Sequence, residues 1–473
     1  MVNKYPWQQG VSLLVLTTVL SGCAAFGPDH TPANLLTPAQ LSLPATQGKM
    51  PEAGWWQQLN DPTLNNLIDT AIARSPSLQL AQDRLQQARG VLGLNKSALG
   101  PQVDFAAQAD RERYSPNNEI FALLNGAFVN SYSLTLNASW EFDFWGKNRA
   151  AVRSALGEVR AAALEAQQAQ LVLTQAIIAQ YTTLQVQQQQ SQVTQKRIQL
   201  AETRLALVKA RVSAGLLSPD NSFRVQSGLA ALNEQLDGLK GDIQRSHHAL
   251  AALTGQGPSA LDSLVASPLG DTPPMEDARV TLDLLGRRPD IASQRAQVEA
   301  MEENVNVAKA EFYPNIGISA FAGVNSGEID SLFYHSSRIV DVQPALTLPI
   351  FHSGQLQSNL SVQRSRYDQA VDNYNQTVLN GLKEAADAVS SEQQAIVQLQ
   401  QARAGYLANK KSADAMVLRL KAGVVSKLDV LDSQDAAQSG HSSELNALAS
   451  QRLAWAKLNT ALGGGLSVSQ NSR

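Results

Sequence analysis

The sequence predicts an α+β chain, mostly α, in which two copies of one unit each supply a very long helix, two shorter helices and two amphipathic strands. Three observations carry this. An internal repeat runs most of the chain, two long stretches free of proline have helical periodicity, and four short segments alternate apolar with polar residues.

The repeat organises the rest of the chain. Arg74-Ser75-Pro76-Ser77-Leu78 aligns with Arg287-Arg288-Pro289-Asp290-Ile291 at an offset of 213, and Pro101-Gln102-Val103 falls on Pro314-Asn315-Ile316 at the same offset. Further along, Arg211-Val212-Ser213-Ala214-Gly215-Leu216-Leu217-Ser218 aligns with Arg419-Leu420-Lys421-Ala422-Gly423-Val424-Val425-Ser426 at an offset of 208, which also takes Gly255 onto Gly463. The five-residue difference must lie within 106–138 of the first copy and marks a surface loop. Residues 55–270 form repeat 1 and residues 271–473 repeat 2.

The long helices are expected at 147–214 and 355–422, where no proline intervenes. Each would be roughly 100 Å long at about 1.5 Å per residue. Shorter helices fit 76–100 and 219–255 in the first copy and 289–313 and 427–463 in the second, each pair stacked end to end beside its long helix. Leu173, Ile177, Tyr181 and Leu184 recur at the three- and four-residue spacing of coiled-coil packing. The Gln-rich tract Gln185–Gln190 reads as an exposed helix face. Asp61 is placed to cap a helix whose first residue is Pro62.

Between the helices the period falls to two. Val103, Phe105, Ala107 and Ala109 alternate with Gln102, Asp104, Gln108 and Asp110. Tyr132, Leu134, Leu136, Ala138, Trp140, Phe142 and Phe144 alternate with Ser133, Thr135, Asn137, Ser139, Glu141 and Asp143. The second copy repeats this through Ile316, Ile318, Ala320 and Ala322, then Val340, Val342, Leu346, Leu348 and Ile350. Strands are thus expected near 101–113, 131–144, 314–323 and 339–351, about the length a tilted membrane strand requires. Four strands cannot close a membrane barrel, whose lower limit is about eight, and an open edge cannot face lipid. Oligomerisation follows, and a homotrimer gives a 12-stranded transmembrane β-barrel. A soluble sandwich with one wet face is the competing arrangement.

The N-terminus carries an address. Lys4 precedes an apolar run from Val11 to Leu20, too short to span a bilayer, which ends at Leu20-Ser21-Gly22-Cys23. Residues 1–22 resemble a lipoprotein signal peptide, with Cys23 the lipidated first residue of the mature chain; Ala24, by the same resemblance, favours the outer membrane. The Pro-rich, polar stretch 23–54 reads as a lipid-anchored tether. Balanced charge, 38 basic against 41 acidic residues, excludes a nucleic-acid binder, and one cysteine excludes an internal disulfide. Scattered histidines and the absence of phosphate-loop or nucleophile motifs point to no catalysis, metal or cofactor beyond the lipid. His247 and His248, being adjacent on a helix, point to different sides.

The lipobox, Trp55-Trp56 with Asp61-Pro62, the twofold repeat, Trp140-Glu141-Phe142-Asp143-Phe144-Trp145-Gly146 and Leu348-Pro349-Ile350-Phe351 together resemble the TolC-like outer-membrane factors, in their NodT-type lipoprotein branch. The resemblance implies a trimeric outer-membrane barrel continued by a long periplasmic α-helical barrel. It also implies a passive duct for drugs or other small toxic compounds, working with an inner-membrane drug transporter and a periplasmic adaptor protein. A type I protein secretion duct and a coiled-coil spacer without a pore are the alternatives.

Three sets of residues are candidates for function. Gly215, Leu216, Leu217, Ser218 and Gly423, Val424, Val425, Ser426 end the long helices, with Gly reaching left-handed angles and Ser capping the next helix. The resemblance makes them adaptor-contacting tips, although helix reversal alone would produce the same motif. Asp429, Asp432 and Asp435 share one helix face in the second copy only, where the first has Asn221, Arg224 and Ser227. The resemblance assigns Asp429 and Asp432 to a periplasmic aperture ring; Leu420 and Val425 depart from the Tyr and Arg latch of some members. Asp104, Asn137, Glu141 and Asp143 belong to the polar strand face and would line the barrel lumen. Trp140, Phe142 and Trp145 suit an interfacial girdle or barrel-to-helix packing.

Overall fold

The computed structural model describes residues 30–37, 40–41, 51–115, 117, 126–273 and 284–465; the signal segment 1–22 and Cys23 lie outside them. In chain order the principal elements are α1 (Pro62–Arg74), α2 (Pro76–Ser97), β1 (Gln102–Arg113), β2 (Phe128–Phe142), α3 (Lys147–Ser213) and α4 (Pro219–Leu253). They continue with α5 (Leu284–Arg287), α6 (Pro289–Ala310), β3 (Asn315–Ser326), β4 (Arg338–Thr347), α7 (Gln355–Lys421) and α8 (Lys427–Ala461).

The two copies match element for element. Both long helices have 67 residues, α4 and α8 both have 35, α2 and α6 both have 22, and β1 and β3 both have 12. The start points follow from local chemistry: proline holds the first position of α1, α2, α4 and α6, where its missing N–H costs nothing. Asp61 caps α1 through the amides of Thr63 and Leu64, at 3.0 and 3.1 Å.

Contacts divide the chain into two units. The first holds the described residues up to Leu35 together with Leu85–Ala161 and Gln294–Tyr374; the second holds Leu36–Arg84, Ala162–Ser293 and the described part from Asn375 onward.

In the first unit the four strands form one antiparallel sheet in the order β1-β2-β3-β4, leaving one long edge of β1 and one of β4 unpaired among the described residues. The register keeps the alternation intact across all four strands. Phe105 faces Leu136, Leu136 faces Ala322, and Ala322 faces Val340. On the opposite side Asp104 faces Asn137, which faces Phe321, which faces Asp341. The expected strand ends need correction. β2 stops at Phe142 and β4 at Thr347, so Phe144, Leu348 and Ile350 fall outside the sheet. Pro349 cannot donate to a ladder, and Asp143 is engaged by the first turn of α3. Pro344 lies within β4 opposite Ile318, where the strand gives up one backbone donor.

The core of the second unit gathers Trp55, Leu64, Ile68, Ile177, Tyr181, Leu184, Leu250 and Trp455, with the Trp55 and Trp455 rings 5.1 Å apart in an edge-on contact. All four predicted stripe residues, Leu173, Ile177, Tyr181 and Leu184, are buried. Where α4 ends against the start of α2, Gly255 has φ +69°, and a Cβ there would lie 2.5 Å from the Arg74 carbonyl oxygen. Its counterpart Gly463, at φ +94°, meets the Arg287 carbonyl oxygen in the same way at 2.9 Å. The repeated glycine is therefore required twice over, by backbone angle and by space.

The Gln tract is not an exposed face. Gln185 and Gln190 are buried, and Gln188 donates to the Leu264 carbonyl oxygen at 3.1 Å while accepting from the Ala266 amide at 3.0 Å. Gln190 donates to the Ser442 carbonyl oxygen. A carboxamide carries both donor and acceptor, so it can satisfy an irregular backbone that has no ladder partner of its own.

Candidate functional site

The polar face of the sheet carries Asp104, exposed, and Asn137, half-buried, directly opposite each other. Glu141 lies on the same face and pairs with Lys147 at the start of α3. Asp143 sits beyond the strand. Its Oδ1 accepts from the Asn148 amide at 3.1 Å and its Oδ2 from the Arg149 amide at 2.9 Å and from Arg149 Nε at 3.1 Å. Burial works against ionisation of this carboxyl, but the two amides and the Arg149 guanidinium outweigh it and hold the group below the usual carboxylate range. Asp143 thus ties strand to helix.

Aromatic side chains collect at the same end of the sheet. Trp140 donates its indole N–H to the Leu99 carbonyl oxygen at 3.1 Å and packs on Phe142 at 4.4 Å between ring centroids. Trp145 stacks on Tyr313 at 4.7 Å and donates to the Pro314 carbonyl oxygen at 2.7 Å.

The two helix tips share one backbone design. Gly215 and Gly423 have φ of +70° and +72°, and the next residues, Leu216 and Val424, donate back to the carbonyl oxygens of Arg211 and Arg419 at 2.9 and 3.0 Å. Leu216 and Val424 are about 70% exposed, at 72% and 70%. The expected serine caps differ, however. Ser426 forms a capping box with Asp429, whose Oδ2 accepts from the Ser426 amide at 2.8 Å. Ser218 makes no such bond to α4, because the position matching Asp429 is Asn221, whose amide group donates to the Ser218 carbonyl oxygen instead, and the Ser218 hydroxyl turns to Asp220.

The acidic ladder is partly neutralised within the chain. Asp432 pairs with Arg204, and Asp435 takes a two-pronged contact from Arg197 at 2.7 and 3.2 Å. The Ser426 hydroxyl and amide, with Arg211 nearby, hold Asp429 below the ordinary carboxylate range. A cleft of about 480 Å³ opens beside these pairs, lined by Arg197, Arg204, Arg224, Leu431 and Asp435. The partner arginines escape sequence reading because Arg197 and Arg204, spaced by two helical turns, resemble an ordinary solvated face.

Two further groups emerge only from the structure. The Asp61 carboxylate, already capping α1, also accepts from Tyr181, Gln185 and Ser267, and Gln185 in turn accepts from the buried Arg452, which donates to the Gly270 carbonyl oxygen as well. Glu392 is 3% exposed on α7, with Gln451 of α8 its hydrogen-bond partner at 3.4 Å. At an offset of 208 these two positions correspond to Leu184 and Ile243.

Among the described residues no group of three or more potential metal ligands occurs, and no helix is long and apolar enough to cross a membrane. His247 is buried against the Leu264 carbonyl oxygen, whereas His248 contacts Gln244 at the surface.

A duplicated long-helix unit carrying a two-faced sheet with open edges defines a class of outer-membrane channel proteins. The profile of the outer membrane efflux protein family matches residues 67–256 and again 281–464, and the chain belongs to that family. It is similar to the multidrug resistance outer membrane protein MdtP of Escherichia coli K12, 28% identical over 388 residues and 79% of either chain. MdtQ of Escherichia coli O157:H7, also named a multidrug resistance outer membrane protein, is 27% identical over 410 residues. Among solved structures, the outer membrane protein VceC of Vibrio cholerae superposes with a TM-score of 0.78 at 31% identity, covering 88% of this chain and 99% of VceC. The CmeC outer membrane channel of Campylobacter jejuni shares the fold, with a TM-score of 0.83 at 22% identity. The protein is an outer-membrane efflux component and not an enzyme.

Proposed function

We propose that three copies close a twelve-stranded barrel in the outer membrane, serving as the exit duct of a tripartite pump that expels drugs or other small toxic compounds. The observation that carries this reading is the sheet itself: one face is apolar over most of its length in all four strands, yet among the described residues both outer strands lack a second neighbour. In lipid such edges are untenable, so neighbouring copies must supply the missing ladder. Asp104, Asn137 and Glu141 then line water, and lipid on Cys23 anchors the mature chain. The tether's described part lies against α7, where Asp368 accepts from His30 and from the Ala33 amide at 2.7 and 3.0 Å.

The tips at Gly215–Ser218 and Gly423–Ser426 are the surface offered to the periplasmic adaptor, with the exposed Leu216 and Val424 as apolar contacts. Asp429 and Asp432, repeated three times about the axis, form an acidic aperture. Because Arg204 already pairs with Asp432, the ring is weaker than its count of acids implies. In planar bilayers the parent is expected to prefer cations, the Asp429→Ala, Asp432→Ala double variant to lose much of that preference, and Arg204→Gln to strengthen it. Unchanged conductance and ion preference in both variants would remove the acids from the aperture.

A further inference from the structure

The apolar face of the sheet is not apolar to its end. β1 continues the face of Val103, Phe105, Ala107 and Ala109 with Arg111 and Arg113, and β4 begins on that face with Arg338, opposite Val324. All three arginines are exposed. The Arg111 guanidinium lies 5.2 Å over the Phe128 ring, and Arg113 Nε donates to the Gly126 carbonyl oxygen at 2.8 Å. No strand position on this face carries a carboxylate: Asp110, Glu112 and Asp341 occupy the alternate positions and belong to the other face. Among the described residues none of the three arginines is in an ion pair. They also lie at the loop end of the strands, opposite to the end from which α2 and α3 lead away.

The repeat brings them together. Within one chain the junction between copies is β2 against β3, with Tyr132 opposite Ser326 and Leu134 opposite Val324. In a closed ring the junction between subunits, β4 against the next β1, is the same junction one copy further on. Carrying the register forward by the repeat offsets sets Val340 opposite the partner subunit's Arg113 and Val342 opposite the partner subunit's Arg111. Odd and even positions stay on their own faces, so apolar meets apolar lower down, where Leu346 falls opposite the partner subunit's Ala107. Arg338 is then one diagonal step, about 7–8 Å, from the partner subunit's Arg113.

Three guanidiniums gathered on a lipid-facing seam repel one another in a medium that screens poorly, and each presents a planar fork suited to phosphate oxygens. A seam so placed calls for an anion, and the anion at that depth on the outer side of the membrane is the phosphate of the outer-leaflet glycolipid. Resting on the trimeric reading above, we propose that each subunit seam is a binding site for a phosphorylated glycolipid, held by Arg338 of one copy and by Arg111 and Arg113 of the next.

Native mass spectrometry of the detergent-purified full chain tests this with bis-phosphorylated lipid A, the same lipid enzymatically dephosphorylated, and inorganic phosphate as competitor. Expected is a trimer that retains lipid A. Retention should be at least about tenfold weaker for the dephosphorylated lipid and for the Arg111→Gln, Arg113→Gln, Arg338→Gln variant, and unaffected by millimolar phosphate. A trimer that holds both lipids equally, or a variant that binds like the parent, overturns the site while leaving the trimer standing. Displacement by inorganic phosphate also overturns it, since the seam would then take any small anion. A monomeric mass fails the trimeric reading itself, and the seam with it.

Discussion

Asp61→Ala is expected to cost about 3–5 kcal/mol of stability, the range for breaking a buried charged network by removing one member. Three losses combine. The first turn of α1 gives up its cap from the Thr63 and Leu64 amides, worth roughly 1 kcal/mol. Tyr181 and Gln185, both buried, lose an acceptor, and an orphaned buried donor costs roughly 1–3 kcal/mol. Arg452 keeps its bond to Gln185 but no longer has a carboxylate beyond it; burial already pulls this guanidinium below its ordinary pKa, and Asp61 counters that pull. Asp61→Asn separates the contributions, because Asn caps a helix about as well as Asp but brings an NH2 group where Gln185 donates. Thermal unfolding in detergent should therefore rank the parent above Asn and Asn above Ala. Equal midpoints for the parent and Asn would mean that the charge network contributes nothing beyond the cap.

The second large effect concerns Glu392 and depends on pH. Burial pushes its carboxyl up to about 7 from the usual 4.5, opposed only by the hydrogen bond from Gln451. The folded state thus keeps a proton that the unfolded chain releases near pH 4.5. The resulting stability is fully present below that pH, declines by as much as about 1.4 kcal/mol per pH unit, and is lost once pH passes about 7. Glu392→Gln, neutral at every pH, is expected to be more stable than the parent at pH 8 by about 3 kcal/mol and no more stable at pH 4.5. Glu392→Leu with Gln451→Ile, which installs the Leu184 and Ile243 of the first copy, should show the same pH-8 gain. If Glu392→Gln unfolds at the same temperature as the parent at pH 8, the Glu392 carboxylate is being satisfied in the folded protein.

These two sites also mark where the sequence was readable and where it was not. Pro76, Pro219 and Pro289 open helices, Gly215 and Gly423 close them, and the fixed offsets turn each boundary in one copy into a check on the other. Strand faces were legible because period two survives every register pair. Strand ends were less so: Asp143 continues the alternation in sequence but is captured by the Asn148 and Arg149 amides. Polarity misled most at Gln185 and Gln190, whose partners lie far along the chain at Asp61, Ser267 and Ser442. Asp61 was recognisable as a cap, but nothing local signals Tyr181, Gln185 and Ser267 converging on it. Glu392 looks like any surface helix residue until set against Leu184, which is fully buried.

Everything proposed for the duct depends on a sheet whose open edges are filled by other copies of the same chain. The most direct test is the native mass of the detergent-extracted protein taken together with its single-channel current. A trimeric mass with steady ionic conductance is the predicted result; a stable monomer that passes no ions would contradict it.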